Sequence, residues 1–246
     1  DAVRDAVDTI DPRNRSLNKG LLSFDRTHAF RAHGTWELPL GSGHRFLGNA
    51  PGWINRIAAG WQLSSIFTQI SGAPLMITSP NRTLTSNYIA AANISLPDIV
   101  GEFPKSLGKV QVGNGFVEYF SGISTRPSAR PNFGSDPNNL AADFANLDVG
   151  YASGNVLLRN PEPGKAGTLG TRWIQGPPRF GLDLSLAKRT QLSERLSFTI
   201  RADLVDALNM PQWGNPSAAN LSINSNSFGR ITSADGERTV TVGARI

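Results

Sequence analysis

No cysteine occurs among the 246 residues, which removes disulfide frameworks, cysteine-based zinc sites and thiol nucleophiles together. Histidine is nearly as scarce. Only His28, His33 and His44 are present, no H-x-x-x-H spacing occurs, and His28 and His33 on one strand would point to opposite faces because their separation is odd. No metal site is expected, nor a cofactor: Gly41-Ser42-Gly43-His44 lacks both the G-x-G-x-x-G spacing and a Walker lysine and reads as a turn. No G-x-S-x-G occurs either, and enzymatic chemistry is not expected. Charged residues make up only 17% of the chain, against long charged, disordered tails. The net charge of +5 is spread along the sequence without a basic run or an RNP-like aromatic motif, which argues against nucleic acid as a partner. Apolar runs stay far below the roughly 18 residues of a transmembrane helix. A transmembrane strand needs only about ten residues of alternating character and is not excluded.

What the sequence has in quantity is glycine and proline, 25 and 16 residues, scattered along the chain. That distribution favours many strands joined by turns and long loops over a helical bundle. The opening Asp1-Ala2-Val3-Arg4-Asp5 has neither an initiator methionine nor an apolar signal core and reads as the start of a fragment or processed chain.

Period-two alternation is the clearest pattern. Phe30, Ala32, Gly34, Trp36 and Leu38 alternate with Arg31, His33, Thr35 and Glu37; Phe180, Leu182, Leu184 and Leu186 alternate with Gly181, Asp183 and Ser185. Leu196, Phe198, Ile200, Ala202 and Leu204 alternate with Ser197, Thr199, Arg201 and Asp203, and Val240, Val242, Ala244 and Ile246 with Thr239, Thr241, Gly243 and Arg245. Trp61 to Ile70 alternates less cleanly, since Ser65 and Ile66 fall on the wrong faces. Strands are expected near residues 28–38, 58–77, 179–190, 195–208 and 237–246, with a short helix over Trp53–Ile57 after Pro51. The third and fourth strands should form a hairpin whose paired positions sum to even numbers. A three-residue loop would set Asp183 opposite Arg201 and Arg189 against Arg195, a mild like-charge conflict that a longer odd loop avoids.

The connections are very unequal. Residues 78–178, rich in Gly, Pro, Asn and Ser, form a long loop or an inserted subdomain, whereas the Gln191–Glu194 joint is tight. Long loops on one side and short turns on the other suit an outer-membrane barrel. A soluble sandwich would show the same alternation. The charges on the opposite face favour the barrel, because a water-filled lumen accepts them while bulky Phe30, Trp36, Phe180 and Phe198 face lipid.

Gly176-Pro177-Pro178-Arg179-Phe180-Gly181-Leu182-Asp183-Leu184-Ser185-Leu186-Ala187-Lys188-Arg189 resembles the G-P-x(5)-D-x-S-L-x-K strand of Oar-like TonB-dependent outer-membrane transporters. Ile200 to Pro216 resembles their R-x-[DE]-x-x-N-x-x-N-x-P-x-[FW]-G-x-P element, with Asp206 where Asn is usual. Phe228-Gly229-Arg230-Ile231-Thr232 and Arg238 to Ile246 are similar to the last strand, and Asp11 to Arg15, Ser23 to His28 and Gly60 to Phe67 also match. The family's terminal aromatic residue is absent, so the sequence reads as stopping short of the natural end. The resemblance implies an all-β fold of antiparallel up-and-down strands, a partial segment of a large transmembrane barrel of about 22 strands, of which this chain supplies roughly the last five. It further implies transport of a bulky nutrient (an oligosaccharide, peptide or metal chelate) across the bacterial outer membrane. The implied partners are the TonB system acting through a plug upstream, outer-membrane lipid and lipopolysaccharide, and the barrel insertion machinery. Both barrel termini would face the periplasm, which makes residues 78–178 extracellular.

The candidate lumen-facing residues are Arg31, His33, Glu37, Asp183, Arg189, Arg201, Asp203 and Arg245. Tyr88, Tyr119, Phe120, Asp136 and Asn138 are the candidate ligand contacts of the long loop, through ring stacking or polar groups. Two other readings share much of the pattern: a secreted all-β carbohydrate-binding module, and a structural or adhesive outer-membrane protein.

Overall fold

Alternating side chains build strands when the two faces of a sheet meet different surroundings. The computed structural model describes residues 14–79, 96–104, 108–113, 115–128, 147–161, 165–172 and 174–246. Five long strands account for the alternating segments: β1 (Ala29–Glu37), β2 (Trp61–Ile70), β3 (Arg179–Ser193), β4 (Leu196–Val205) and β5 (Thr239–Arg245). They form one sheet in the order β1-β2-β3-β4-β5, every neighbour antiparallel. Spatial neighbours are sequence neighbours, so the sheet is an up-and-down meander. It is open, with β1 and β5 at its edges, and five strands are too few to close a barrel. The expected short helix is α1 (Gly52–Ala58), between β1 and β2.

Register fixes the faces. Trp36 pairs with Leu63, Leu63 with Leu186, Leu186 with Ala202 and Ala202 with Val242, one row across all five strands. The row beside it on the opposite face runs Glu37, Gln62, Ala187, Arg201, Gly243. Ile66 lies among the polar positions, opposite both His33 and Asp183, as its parity requires.

The β3–β4 hairpin keeps the even parity but corrects the expected register. Arg201 stands opposite Ala187, and Asp203 opposite Ser185. The register shifts between Gln191 and Ser193, and a two-residue turn, Glu194-Arg195, closes the hairpin. A bulge at Leu192 thus absorbs the odd residue that parity demands. Arg189 pairs with Thr199, so the anticipated clash with Arg195 does not arise.

The chain divides into two units, and the five-stranded sheet belongs to the one made of His28–Ile70, Arg179–Gln212 and Asp235–Ile246. The other comprises Asp1–Thr27, Ser71–Pro178 and Trp213–Ala234. Of the two readings of residues 78–178, a long loop or an inserted subdomain, the described residues favour the second, as part of a unit that also draws in residues on either side. The strand expected over 58–77 accordingly ends at Ile70, and Pro74–Leu75 pairs instead with Ile174–Gln175.

This second unit is built from short strands. Asp98–Ile99, Val156–Arg159, Leu147–Tyr151 and Ile123–Pro127 form one sheet in that order, and Arg230–Ile231, Val117–Glu118 and Gln111–Val112 another. This unit has a core that includes Ile77, Leu96, Phe120, Val149, Leu158 and Ile223. Several buried polar groups are paired, although Thr171 Oγ1 and Arg126 Nη2 are buried without a hydrogen-bond partner. Asp148 meets Arg159 at 3.2 Å, and the Asn160 amide bridges Ser79 and Asn224 at 2.5 and 2.9 Å.

Candidate functional site

The eight charged or histidine positions proposed for a lumen all fall on one face of the sheet, because each occupies the same register parity. Arg31 and His33 stand on β1 opposite Thr68 and Ile66, and Glu37 stands opposite Gln62. Asp183 and Arg189 come from β3, Arg201 and Asp203 from β4, and Arg245 from β5 opposite Thr199. The expected Asp183–Arg201 pair is replaced by two other contacts. Arg201 Nε donates to Asp203 Oδ1 on its own strand at 2.7 Å, two residues along and therefore on the same face. Asp183 Oδ1 accepts the backbone N–H of Asp206 at 2.9 Å.

Between the charges runs a row of hydroxyls that the sequence reading did not single out: Thr35, Ser64, Ser185 and Thr241, with Asp203 among them. Thr35 Oγ1 and Ser64 Oγ lie 3.2 Å apart. Their odd or even position relative to the charged residues is the signal that would have found them. This face holds a pocket of about 470 Å³ lined by Ser64, Asp183, Ser185, Arg201, Asp203 and Thr241, among others. Hydroxyls, two carboxylates and a guanidinium, with Ile66, Leu184, Leu204 and Val205 beside them, offer both donors and acceptors to a polar solute.

The opposite face is apolar and uncovered. Phe30 is 59% exposed, Trp36 58% and Val242 68%, so no second layer covers them among the described residues. At the Phe30 end, the Phe30, Phe67 and Phe180 rings meet edge to face at centroid distances of 5.9 and 5.1 Å. At the far end stand Trp36 and Trp61. Phe30 and Trp36 are six residues apart on the strand, roughly 20 Å at 3.4 Å per residue, so aromatic residues bound an apolar band on both sides. Lys188 shares this face opposite Trp61, an exception to the apolar parity.

Of the proposed loop contacts, Tyr119 and Phe120 lie in the core of the second unit at 4% and 2% exposure. Phe120 stacks on Phe228, and Tyr119 Oη donates to the Gln175 carbonyl at 2.5 Å. Burial pushes the Tyr119 hydroxyl up to about 12. Both rings are engaged in packing and present no free surface to a ligand, a correction to the sequence reading that arises because their segment has no periodicity to reveal its buried side. Tyr88, Asp136 and Asn138 lie outside the described residues.

A family model described as an outer membrane beta barrel domain matches residues 2–241. No curated protein and no solved structure matches the chain.

Proposed function

Because the chain belongs to the outer membrane beta barrel domain family and so resides in the bacterial outer membrane, we propose that it forms wall strands and outer loops of a TonB-dependent importer of a bulky nutrient. In this reading the Phe30, Leu184 and Val242 face meets lipid, and the Arg31, Asp183 and Arg201 face lines a water-filled passage. No bond is made or broken; the protein acts by selective passage, with energy supplied by the TonB system through a plug.

The observation that carries the reading is the pairing of an uncovered apolar face with a charged, pocketed one on the same five strands. A structural wall alone gives no reason to place Arg201, Asp203 and the hydroxyls of Ser64, Ser185 and Thr241 around one recess. The Gly176 to Arg189 and Ile200 to Pro216 motifs, similar to those of Oar-like transporters, support the same conclusion. The orientation follows from the tight Glu194-Arg195 turn, assigned to the periplasm as short barrel turns are. The connection of residues 71–178, which joins the strand ends opposite that turn, is then extracellular.

The test is uptake. Cells with and without the gene are supplied with a labelled oligosaccharide, peptide or metal chelate in turn. One class should enter only with the gene, and that uptake should stop when TonB is deleted or the proton gradient is collapsed. Absence of gene-dependent uptake for all three classes, or uptake indifferent to TonB, overturns the importer in favour of a structural or adhesive barrel.

A further inference from the structure

We propose that helix α1 and the turn before it lie flat in the headgroup region of the inner, phospholipid leaflet, anchoring this part of the barrel rim to the membrane surface. The proposal rests on the assignment, made above, of the apolar face to lipid and the Glu194-Arg195 end to the periplasm.

Trp53 and Ile57 are four residues apart and share one side of the helix, and they are 67% and 62% exposed. Phe46 and Leu47, in the preceding turn, are also more than half exposed. The inner side of the helix is occupied by the protein itself, with Asn55 Oδ1 accepting the Ser42 N–H at 2.6 Å. What covers the outer side is set by where the helix is tied. Lys188 Nζ, on the apolar face, donates to the Ile57 and Ala59 carbonyls at 2.8 and 2.5 Å and stands 5.3 Å from the Trp61 ring centroid. Trp61 Nε1, on the same face, donates to the Ile57 carbonyl at 2.9 Å.

Two side chains from the lipid-facing side thus hold the C-terminal end of α1, which continues the apolar band at its edge instead of lying beneath the passage. Gly60 (φ 79°) allows this close approach, since a Cβ there would lie 2.5 Å from the Arg189 carbonyl oxygen. Between Leu38 and Gly60 there are two arginines, Arg45 and Arg56, and no acidic residue. Apolar side chains flanked by cations match an anionic phospholipid surface.

The full-length protein is reconstituted into phospholipid vesicles whose acyl chains are brominated near the glycerol end, and the emission of Trp53 is taken as the difference between wild type and Trp53→Phe. That emission should lose most of its intensity to the bromines and resist aqueous iodide. The corresponding difference for Trp36→Phe reports the apolar band. Trp36 quenched by bromine with Trp53 quenched only by iodide overturns the anchor and leaves the barrel standing; iodide quenching of both overturns the lipid assignment as well. As a second measurement, a spin label at Ile57→Cys should collide more with oxygen than with an aqueous nickel chelate, and the reverse order overturns the proposal.

Discussion

Asp206 sits just past the end of β4 with φ 47° and 8% exposure, and neither carboxylate oxygen has a hydrogen-bond partner. A buried carboxylate without a donor is costly, and the left-handed backbone region is among those that asparagine adopts readily. Asp206→Asn replaces the unpaired carboxyl with a neutral amide. It should raise stability by about 1–2 kcal/mol, read as a higher temperature for loss of the folded band in heat-modifiable gel migration. Tyr119 gives a pH dependence. Its hydroxyl is raised from 10.0 to about 12 by burial, so the folded state holds that proton more tightly than the unfolded state. The corresponding stability is complete below pH 10 and is lost as pH rises toward 12. Alkaline denaturation of the loop-built unit, followed by phenolate absorbance, should show this loss, and Tyr119→Phe should flatten it.

The strands were legible from the sequence because lipid on one side and water on the other enforce a strict period of two. Even Ser65 and Ile66, which break the hydrophobic pattern, obey it in register. The hairpin register was not legible, since a bulge at Leu192 leaves no mark in the alternation on either side. The same asymmetry of faces makes a paired prediction for β3. Leu184 lies in the apolar rows and Ser185 in the row of hydroxyls on the opposite face. Leu184→Arg places a cation near the bilayer midplane and should cost about 2–4 kcal/mol, whereas Ser185→Arg enters water and should leave stability within about 0.5 kcal/mol. Urea titration of folding into vesicles measures both, and equal costs would remove the distinction between the faces.

At the scale of the whole chain, the two units are held together by different solvents. In the unit other than that of the sheet, fifteen of the described residues, from Leu75 to Ile231, form a hydrophobic core, while β1 and β5 have no buried residue along their length. The sequence left this stretch as either a long loop or an inserted subdomain because its strands are two to five residues long and pair across large separations, too short for any period to show. The candidate site was half legible for a related reason: charges announce a polar face, but Thr35, Ser64 and Thr241 acquire meaning only when the register aligns them. Water drives the core of the loop-built unit together, so urea should dissolve it; the sheet depends on lipid or detergent and should persist to higher denaturant or to boiling in dodecyl sulfate. Unfolding in detergent micelles is therefore expected in two steps. Leu158→Ala, at a residue 1% exposed, should move only the first step, by about 2–5 kcal/mol, and Leu184→Arg only the second. Circular dichroism of the urea transition, set beside gel migration, separates the two, and a single cooperative transition moved by either substitution would show that the units fold as one.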